Sequence, residues 1–124
     1  MSHNNTICVI DDDTSIRWVL DKALSKAGLQ VDDYDSADSA LLAISKQEPA
    51  VIVTDIRMPG MDGLELLERL NTQYPDLPVI IMTAHSDLDA AVNAYQKGAF
   101  EYLPKPFDID ETLTLVERAI ARST

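Results

Sequence analysis

The sequence predicts an α/β fold in which a five-stranded, mainly parallel sheet carries helices on both faces. The first observation behind this prediction is an alternation of strand-like and helix-like segments that repeats five times along 124 residues. The second is that three strand-like runs, at residues 7–10, 51–53 and 79–82, are continuously apolar. Strands buried on both faces have this composition, whereas the strands of a half-exposed sheet alternate apolar and polar residues.

The strand-like segments are short and bounded by turn residues. The second one contains three aspartates, which places it at an edge of the sheet. The fifth is expected to end at Pro104-Lys105-Pro106, because proline cannot donate to a strand ladder. In chain order the predicted strands are residues 6–11, 30–35, 51–54, 79–82 and 100–103.

The helix-like segments lie between these strands and carry apolar residues three or four positions apart. Ser36 is a predicted N-cap, Asp62-x-x-Glu65 resembles a capping box, and Ser86 precedes the fourth helix. Gly28 and Gly98 end the first and fourth helices. The predicted helices cover about residues 16–27, 37–46, 62–72 and 87–97, and the last one begins at Asp108 or Asp110.

The fourth helix has apolar residues around much of its circumference. One face carries Leu88, Ala91, Val92 and Tyr95, and we expect this stripe to face the core. Ala90 and Ala94 are then expected on the outer face. Trp18 falls off the apolar stripe of the first helix, so we expect it to be partly exposed.

The composition is that of an ordinary globular domain, 46% hydrophobic and 25% charged. We expect a single domain over residues 1–124 with an ordered core of about 6–122. No apolar stretch approaches the roughly 20 residues that a membrane-spanning helix needs, and residues 1–6 lack a signal-peptide pattern. Cys8 is the single cysteine, so no internal disulfide can form, which is compatible with the reducing cytoplasm.

The chain is strongly acidic, with 21 acids, 10 Lys and Arg residues and a net charge of −11. This charge argues against nucleic-acid binding by the chain alone, because contacts to phosphates need a basic face. The negative charge instead favours the binding of cations or of partner proteins with basic surfaces.

Functional side chains follow four of the predicted strands. Three aspartates beginning at Asp11 follow the first strand, and Asp55 follows the third. If these carboxylates crowd one edge of the sheet, each like-charge pair at roughly 4 Å costs about 4 kcal/mol of folding free energy. That cost is a large part of a domain's stability of roughly 5–15 kcal/mol, which favours a functional reason for such a cluster. Thr83 and Lys105 follow the fourth and fifth strands and therefore point to the same edge.

These side chains have the chemistry of phosphoryl transfer. Converging carboxylates suit Mg²⁺, and a remaining carboxylate oxygen can act as a nucleophile toward phosphorus. Lys105 offers a positive charge and Thr83 a hydroxyl donor to the phosphoryl oxygens.

The same positions carry a resemblance to a known family. The motifs are Asp11-Asp12, Asp55 within Asp-Ile-Arg-Met-Pro-Gly-Met-Asp-Gly, Thr83-Ala84 and Lys105-Pro106. Over its full length the chain resembles the receiver domain of bacterial two-component response regulators, most closely the nitrogen regulatory protein C (NtrC) subgroup. The resemblance implies a flavodoxin-like (βα)5 doubly wound sandwich with strand order 2-1-3-4-5.

The resemblance also implies roles for the acidic residues. Asp55 would accept a phosphoryl group from a sensor histidine kinase. Mg²⁺ would be bound by Asp12, Asp55 and the backbone carbonyl of Arg57, with Asp11 acting through water.

Further roles concern the phosphoryl group and the response to it. Lys105 would pair with the phosphoryl group, and Thr83 would hydrogen-bond to it. Tyr102 would be an aromatic switch that fills space vacated by Thr83 while the fourth helix re-packs. Arg57 and His85 would tune dephosphorylation, and Lys105–Pro106 would be a cis peptide.

By the same resemblance the chain is a phosphorylation-controlled switch and not an enzyme for external substrates. The natural protein is expected to continue past Thr124 into an ATPase domain that contacts sigma-54 polymerase and a DNA-binding helix-turn-helix, neither of which is present here. Nitrogen regulation, action in the cytoplasm and a phosphorylation-dependent homodimer belong to the same set of expectations.

Two other interpretations remain open from the residues. Asp11 and Asp13 resemble the Asp-x-Asp signature of haloacid-dehalogenase-type phosphatases, with Asp11 as nucleophile and Asp13 as acid/base. The chain lacks that family's cap module and its later paired acids. A flavodoxin-like electron carrier is the third class, although the hydroxyl-rich phosphate loop after the first strand is missing.

Overall fold

The computed structural model describes residues 5–123, without the side chains of His85 and Ser123. Within this range five strands pair in parallel in the order β2-β1-β3-β4-β5, which confirms the predicted topology. β2, rich in aspartate, lies at one edge as predicted, and β3 is central. The strands are β1 (Thr6–Ile10), β2 (Gln30–Tyr34), β3 (Val51–Asp55), β4 (Val79–Ala84) and β5 (Glu101–Lys105).

Four helices connect consecutive strands and a fifth follows β5, and a 3-10 turn at His85–Asp87 precedes the fourth helix. None of the helices described in residues 5–123 combines the length and the apolar character that crossing a bilayer requires. The helices are α1 (Thr14–Lys26), α2 (Ala37–Lys46), α3 (Gly63–Gln73), α4 (Leu88–Gln96) and α5 (Ile109–Ser123).

Side chains that alternate along the strands fill two cores, one on each face of the sheet. Cys8 and Ile10 of β1 pack with residues of α2, α3 and α4, whereas Ile7 and Val9 pack with α1 and α5. All four of these β1 side chains are buried. The continuous apolar runs of the sequence therefore correspond to strands covered on both sides.

Side-chain caps begin four of the helices, as the sequence predicts for α2 and α3. Asp62 accepts a hydrogen bond from the N–H of Glu65 at 2.9 Å, while the Glu65 carboxylate lies 3.3 Å from Arg69. The first bond of the predicted capping box is thus present, and Glu65 pairs along its own helix. The capping residues of α1, α2, α3 and α5 are Asp13, Ser36, Asp62 and Asp108.

The predicted end of the fifth strand is wrong. β5 continues through Pro104 to Lys105, and these residues pair with Thr83 and Ala84 of β4. β5 is an edge strand, so it has one side without a partner, and a residue that lacks an N–H is tolerated there. This extension carries Lys105 to the end of the sheet on a strand rather than on a loop.

The predicted orientation of α4 is also wrong. Leu88, Val92 and Tyr95 of the predicted stripe are 54%, 55% and 41% exposed, and Ala91 alone of that stripe is buried. Ala94, expected on the outer face, is also buried. Small side chains let the helix backbone approach the sheet closely, which the larger stripe would prevent. Trp18, 61% exposed on α1, confirms the partial exposure predicted for it.

Cys8 makes the folded state sensitive to high pH. Burial, with a smaller contribution from the Asp32 carboxylate, raises the pKa of its thiol from 9.0 to about 12. The contribution of the protonated thiol to stability is complete below the unfolded pKa. Above it the unfolded chain loses a proton that the folded chain keeps, so the free energy of unfolding should fall by up to about 1.4 kcal/mol per pH unit.

Urea unfolding at a series of pH values between 8 and 11, near the unfolded pKa of about 9, measures this slope. Cys8→Ala should remove the thiol's part of the slope while leaving the part that comes from tyrosines. The same slope in both proteins would contradict the prediction.

Candidate phosphoryl-transfer site

Three acids meet where β1 and β3 end. The two strands are neighbours, with Ile10 opposite Thr54, so Asp11 and Asp12 after β1 lie beside Asp55 at the end of β3. One carboxylate oxygen from each acid lies within 4.8 Å of the others. Asp11 and Asp55 are buried, and Asp12 is exposed. Three carboxylate oxygens with an opening to solvent fit a hard divalent cation that keeps some of its water.

Lys105 reaches the same acids from β5. Its Nζ lies 3.0 Å from an oxygen of Asp11 and 3.3 Å from an oxygen of Asp55. Burial by itself lowers the pKa of Lys105, but the bonds to Asp11 and Asp55 outweigh it and raise that pKa above its ordinary value. Lys105 is therefore a charged ammonium that neutralises part of the repulsion between the acids. The Lys105–Pro106 peptide bond is cis, which confirms the expectation.

The Asp55 carboxylate is largely shielded from solvent. Burial raises its pKa above the ordinary value, and the nearby charge of Asp11 raises it further, whereas Lys105 acts in the opposite direction. The N–H of Ile56 donates to Oδ1 of Asp55 at 3.0 Å, which orients the carboxylate.

Gly63 lets α3 begin against the backbone of β3. Its N–H donates to the carbonyl of Ile56 at 3.0 Å. A Cβ at this position would overlap the carbonyl oxygen of Asp55 and lie 2.7 Å from the Cα of Ile56. Sequence reasoning assigned this glycine no structural role, and the close approach of the two backbones supplies one.

Thr83 is buried in β4, next to β3 in the sheet, where Met82 lies opposite Asp55. Its hydroxyl donates to the carbonyl of Asp87 at 3.3 Å and to that of Ala84 at 3.4 Å. In this structure the Thr83 hydroxyl therefore bonds to the turn that leads into α4.

The side chain of Arg57 extends to the same turn. Its Nε and one terminal nitrogen donate to the two carboxylate oxygens of Asp87 at 2.8 and 2.9 Å. The hydrogen bond from Arg57 lowers the pKa of Asp87. Sequence reasoning did not single out Asp87, although an aspartate directly before an apolar helix is a recognisable cap position.

Tyr102 lies half-buried on β5 and contacts α4. Its ring meets that of Tyr95 edge to face, with centroids 5.7 Å apart and an interplanar angle of 85°. Tyr95 is thus a partly exposed partner of Tyr102 and not the core aromatic that its helical spacing indicated. The His85 side chain, predicted to tune dephosphorylation, lies outside the described part of the chain.

The family model for the response regulator receiver domain matches residues 7–117. The chain belongs to the response regulator receiver domain family. The DNA-binding transcriptional regulator NtrC of Proteus hauseri is 62% identical over 114 residues, which are 92% of this receiver domain and 24% of that protein. The chain thus spans about a quarter of the length of the NtrC relatives it matches.

Two solved structures of the receiver domain of nitrogen regulatory protein C are similar to this receiver domain. The apo form is 58% identical, each chain is covered to 97%, and the TM-score is 0.88. The BeF3-activated form is 59% identical, covers 98% of this chain and 97% of its own, and has a TM-score of 0.82. The described conformation is therefore more similar to the apo form.

The phosphatase interpretation gains no support. The family match is to receiver domains, and Oδ1 of Asp13 accepts hydrogen bonds from the N–H groups of Ser15 and Ile16 at the start of α1. Asp13 therefore serves as a helix cap instead of lying free as an acid/base beside Asp11. The electron-carrier interpretation gains no support from the family match either.

Proposed function

We propose that this receiver domain is a phosphorylation-controlled switch in which Asp55 accepts a phosphoryl group from a sensor histidine kinase. One observation carries the proposal: the Asp55 carboxylate ends the central strand within 4.8 Å of oxygens of Asp11 and Asp12 and 3.3 Å from Nζ of Lys105. Like charges repel, so a cluster of three acids is unfavourable for folding unless a function requires it. Here the three acids lie together with an ammonium at the edge where doubly wound sheets bind ligands.

In the proposed reaction an oxygen of Asp55 attacks the phosphorus of a phosphohistidine. An O–P bond forms, the P–N bond breaks, and the imidazole leaves with the electron pair and takes up a proton. Lys105 then pairs with the transferred phosphoryl oxygens, and the Thr83 hydroxyl donates to one of them. The products are an acyl phosphate on Asp55 and an unphosphorylated histidine on the kinase.

Mg²⁺ is the proposed cofactor, held by Asp12, Asp55 and the backbone carbonyl of Arg57, with Asp11 acting through water. When bound it supplies positive charge that offsets the charge of the phosphoryl oxygens. The set of three carboxylate oxygens fits this ion. Arg57 and His85 are proposed to tune loss of the phosphoryl group, and Tyr102 to report it to α4.

The output is proposed from the relatives named NtrC. We infer that the domain of residues 1–124 controls output domains beyond the present chain: a sigma-54-dependent ATPase and a DNA-binding helix-turn-helix that serve nitrogen regulation in the cytoplasm. The 62% identity to a DNA-binding transcriptional regulator supports this inference. Phosphorylation-dependent homodimerisation is part of the same proposal, and the acidic domain itself takes no part in nucleic-acid binding.

Incubation with acetyl phosphate and Mg²⁺ tests the proposed acceptor. Intact-mass measurement should show one added phosphoryl group on the wild type and none on Asp55→Asn, because an amide is not a nucleophile toward phosphorus. Asp76→Asn, which changes an exposed acid remote in sequence, is the matched control and should label like the wild type. Peptide mapping that places the label on Asp11 would instead support the phosphatase interpretation.

A further inference from the structure

The N-terminus of α4 differs from those of the other helices. Among the α-helices described between residues 5 and 123, α1, α2, α3 and α5 each begin with a side chain that accepts an N–H of the first turn. Asp87 occupies the same position at α4, yet its side chain makes no capping bond. Its φ and ψ are −116° and 40°, whereas Asp13, Ser36 and Asp62 have the extended backbone typical of an N-cap.

The Asp87 carboxylate is bound by Arg57 instead. The guanidinium fork contacts both of its oxygens, and the Thr83 hydroxyl holds the Asp87 carbonyl at the same time. Arg57 lies two residues beyond Asp55, and Thr83 lies on the neighbouring strand. The start of α4 is thus tied twice to segments of the proposed phosphoryl site.

The other end of α4 is fastened to α3. The Asn71 side-chain amide donates to the carbonyl of Lys97, and the Lys97 ammonium pairs with Glu68. Gly98 packs directly on Asn71, where an added Cβ would lie 2.6 Å from the amide nitrogen. A helix held at its C-terminal end by α3 can change position at its N-terminal end when the two ties there are released.

We propose that Asp87 exchanges partners during activation: it is bound by Arg57 in the unphosphorylated form and caps α4 in the phosphorylated form. This inference rests on the proposed phosphorylation of Asp55. A phosphoryl group offers the Arg57 guanidinium and the Thr83 hydroxyl a more highly charged acceptor than Asp87. The freed carboxylate then accepts N–H groups of the first turn of α4. Arg57 is in this mechanism a positioning residue whose side chain couples the acceptor site to the helix.

Variants separate the two bonds of Asp87. Arg57→Gln frees the carboxylate but leaves it able to cap, and Asp87→Ser can cap but cannot form the ion pair. Asp87→Ala can do neither. Arg69→Gln, which removes an exposed arginine paired with Glu65 on α3, is the matched control.

The readout is the amide spectrum of residues 88–96 with and without beryllofluoride and Mg²⁺. In the absence of the mimic, Arg57→Gln and Asp87→Ser should shift these amides toward the wild-type mimic-bound positions. The population of that state should rise about two- to fivefold, because the Arg57 side chain is 76% exposed and an exposed ion pair contributes little. Asp87→Ala should shift them less than Asp87→Ser, and Arg69→Gln should leave them at the wild-type positions. Wild-type positions in Arg57→Gln and Asp87→Ser, or equal shifts in Asp87→Ala and Asp87→Ser, would overturn the exchange.

Acetyl-phosphate labelling of the wild type and of Asp87→Ser, run on the same samples, keeps the two proposals distinguishable. A wild type that takes no label on Asp55 contradicts the proposed function. A labelled wild type whose variants leave α4 unchanged contradicts the partner exchange alone.

Discussion

Lys105→Met is expected to lower the free energy of unfolding of the metal-free chain by about 3 kcal/mol at neutral pH. Nζ of Lys105 contacts carboxylate oxygens of both Asp11 and Asp55, at 3.0 and 3.3 Å. Methionine keeps an unbranched apolar side chain but leaves the two buried carboxylates facing each other. Removing one partner of a buried charge cluster costs far more than removing an exposed ion pair, because the remaining charges stay desolvated.

Urea unfolding in the presence of a chelator measures this effect. Lys97→Met is the matched control, since Lys97 pairs with the half-exposed Glu68 and its loss should cost about 1 kcal/mol or less. Added Mg²⁺ should reduce the difference in free energy of unfolding between the wild type and Lys105→Met, because a divalent cation supplies the missing positive charge. Equal stability of the metal-free wild type and Lys105→Met would show that Lys105 does not serve as the internal counter-ion.

Gly63→Ala should lower the free energy of unfolding by about 3 kcal/mol, the upper end of the cost of overpacking. The added Cβ overlaps backbone atoms of Asp55 and Ile56, which no side-chain rotation can relieve. To make room, α3 must move away from the end of β3, and the Asp55 carboxylate moves with that backbone. We therefore expect slower acetyl-phosphate labelling of the folded variant as well as lower stability.

Gly60→Ala is the control that separates the steric effect at Gly63 from the backbone cost of replacing any glycine by alanine. Gly60 has φ +75° and open space around its Cβ position, so alanine there costs only the left-handed backbone, about 1 kcal/mol. Its labelling rate should fall less than that of Gly63→Ala. If Gly60→Ala proved the more destabilising of the two, steric contact at Gly63 would not be the reason for that glycine.

Much of the architecture follows from local patterns in the chain. The alternation of buried strands with amphipathic helices predicts a parallel sheet, because each crossover from one strand to the next needs a helix. The acids after β1 and β3 then have to meet, since parallel neighbours end at the same edge. Asp11, Asp12 and Asp55 do lie within 4.8 Å of one another, and Ser36 and Asp62 cap their helices.

Other features depended on contacts between distant segments. α4 carries two apolar faces, and periodicity does not tell which one is buried; the close packing of Ala91 and Ala94 on the sheet decides it. The ladder with β4 keeps Pro104 and Lys105 in β5, because an edge strand tolerates proline. The pairing of Arg57 with Asp87 joins residues 30 positions apart. Local residue order specifies helices, strands and caps through short-range sterics and hydrogen bonding. Which face of a helix packs inward, and which charged side chains pair, depends on contacts between distant segments, and these contacts form only in the folded chain.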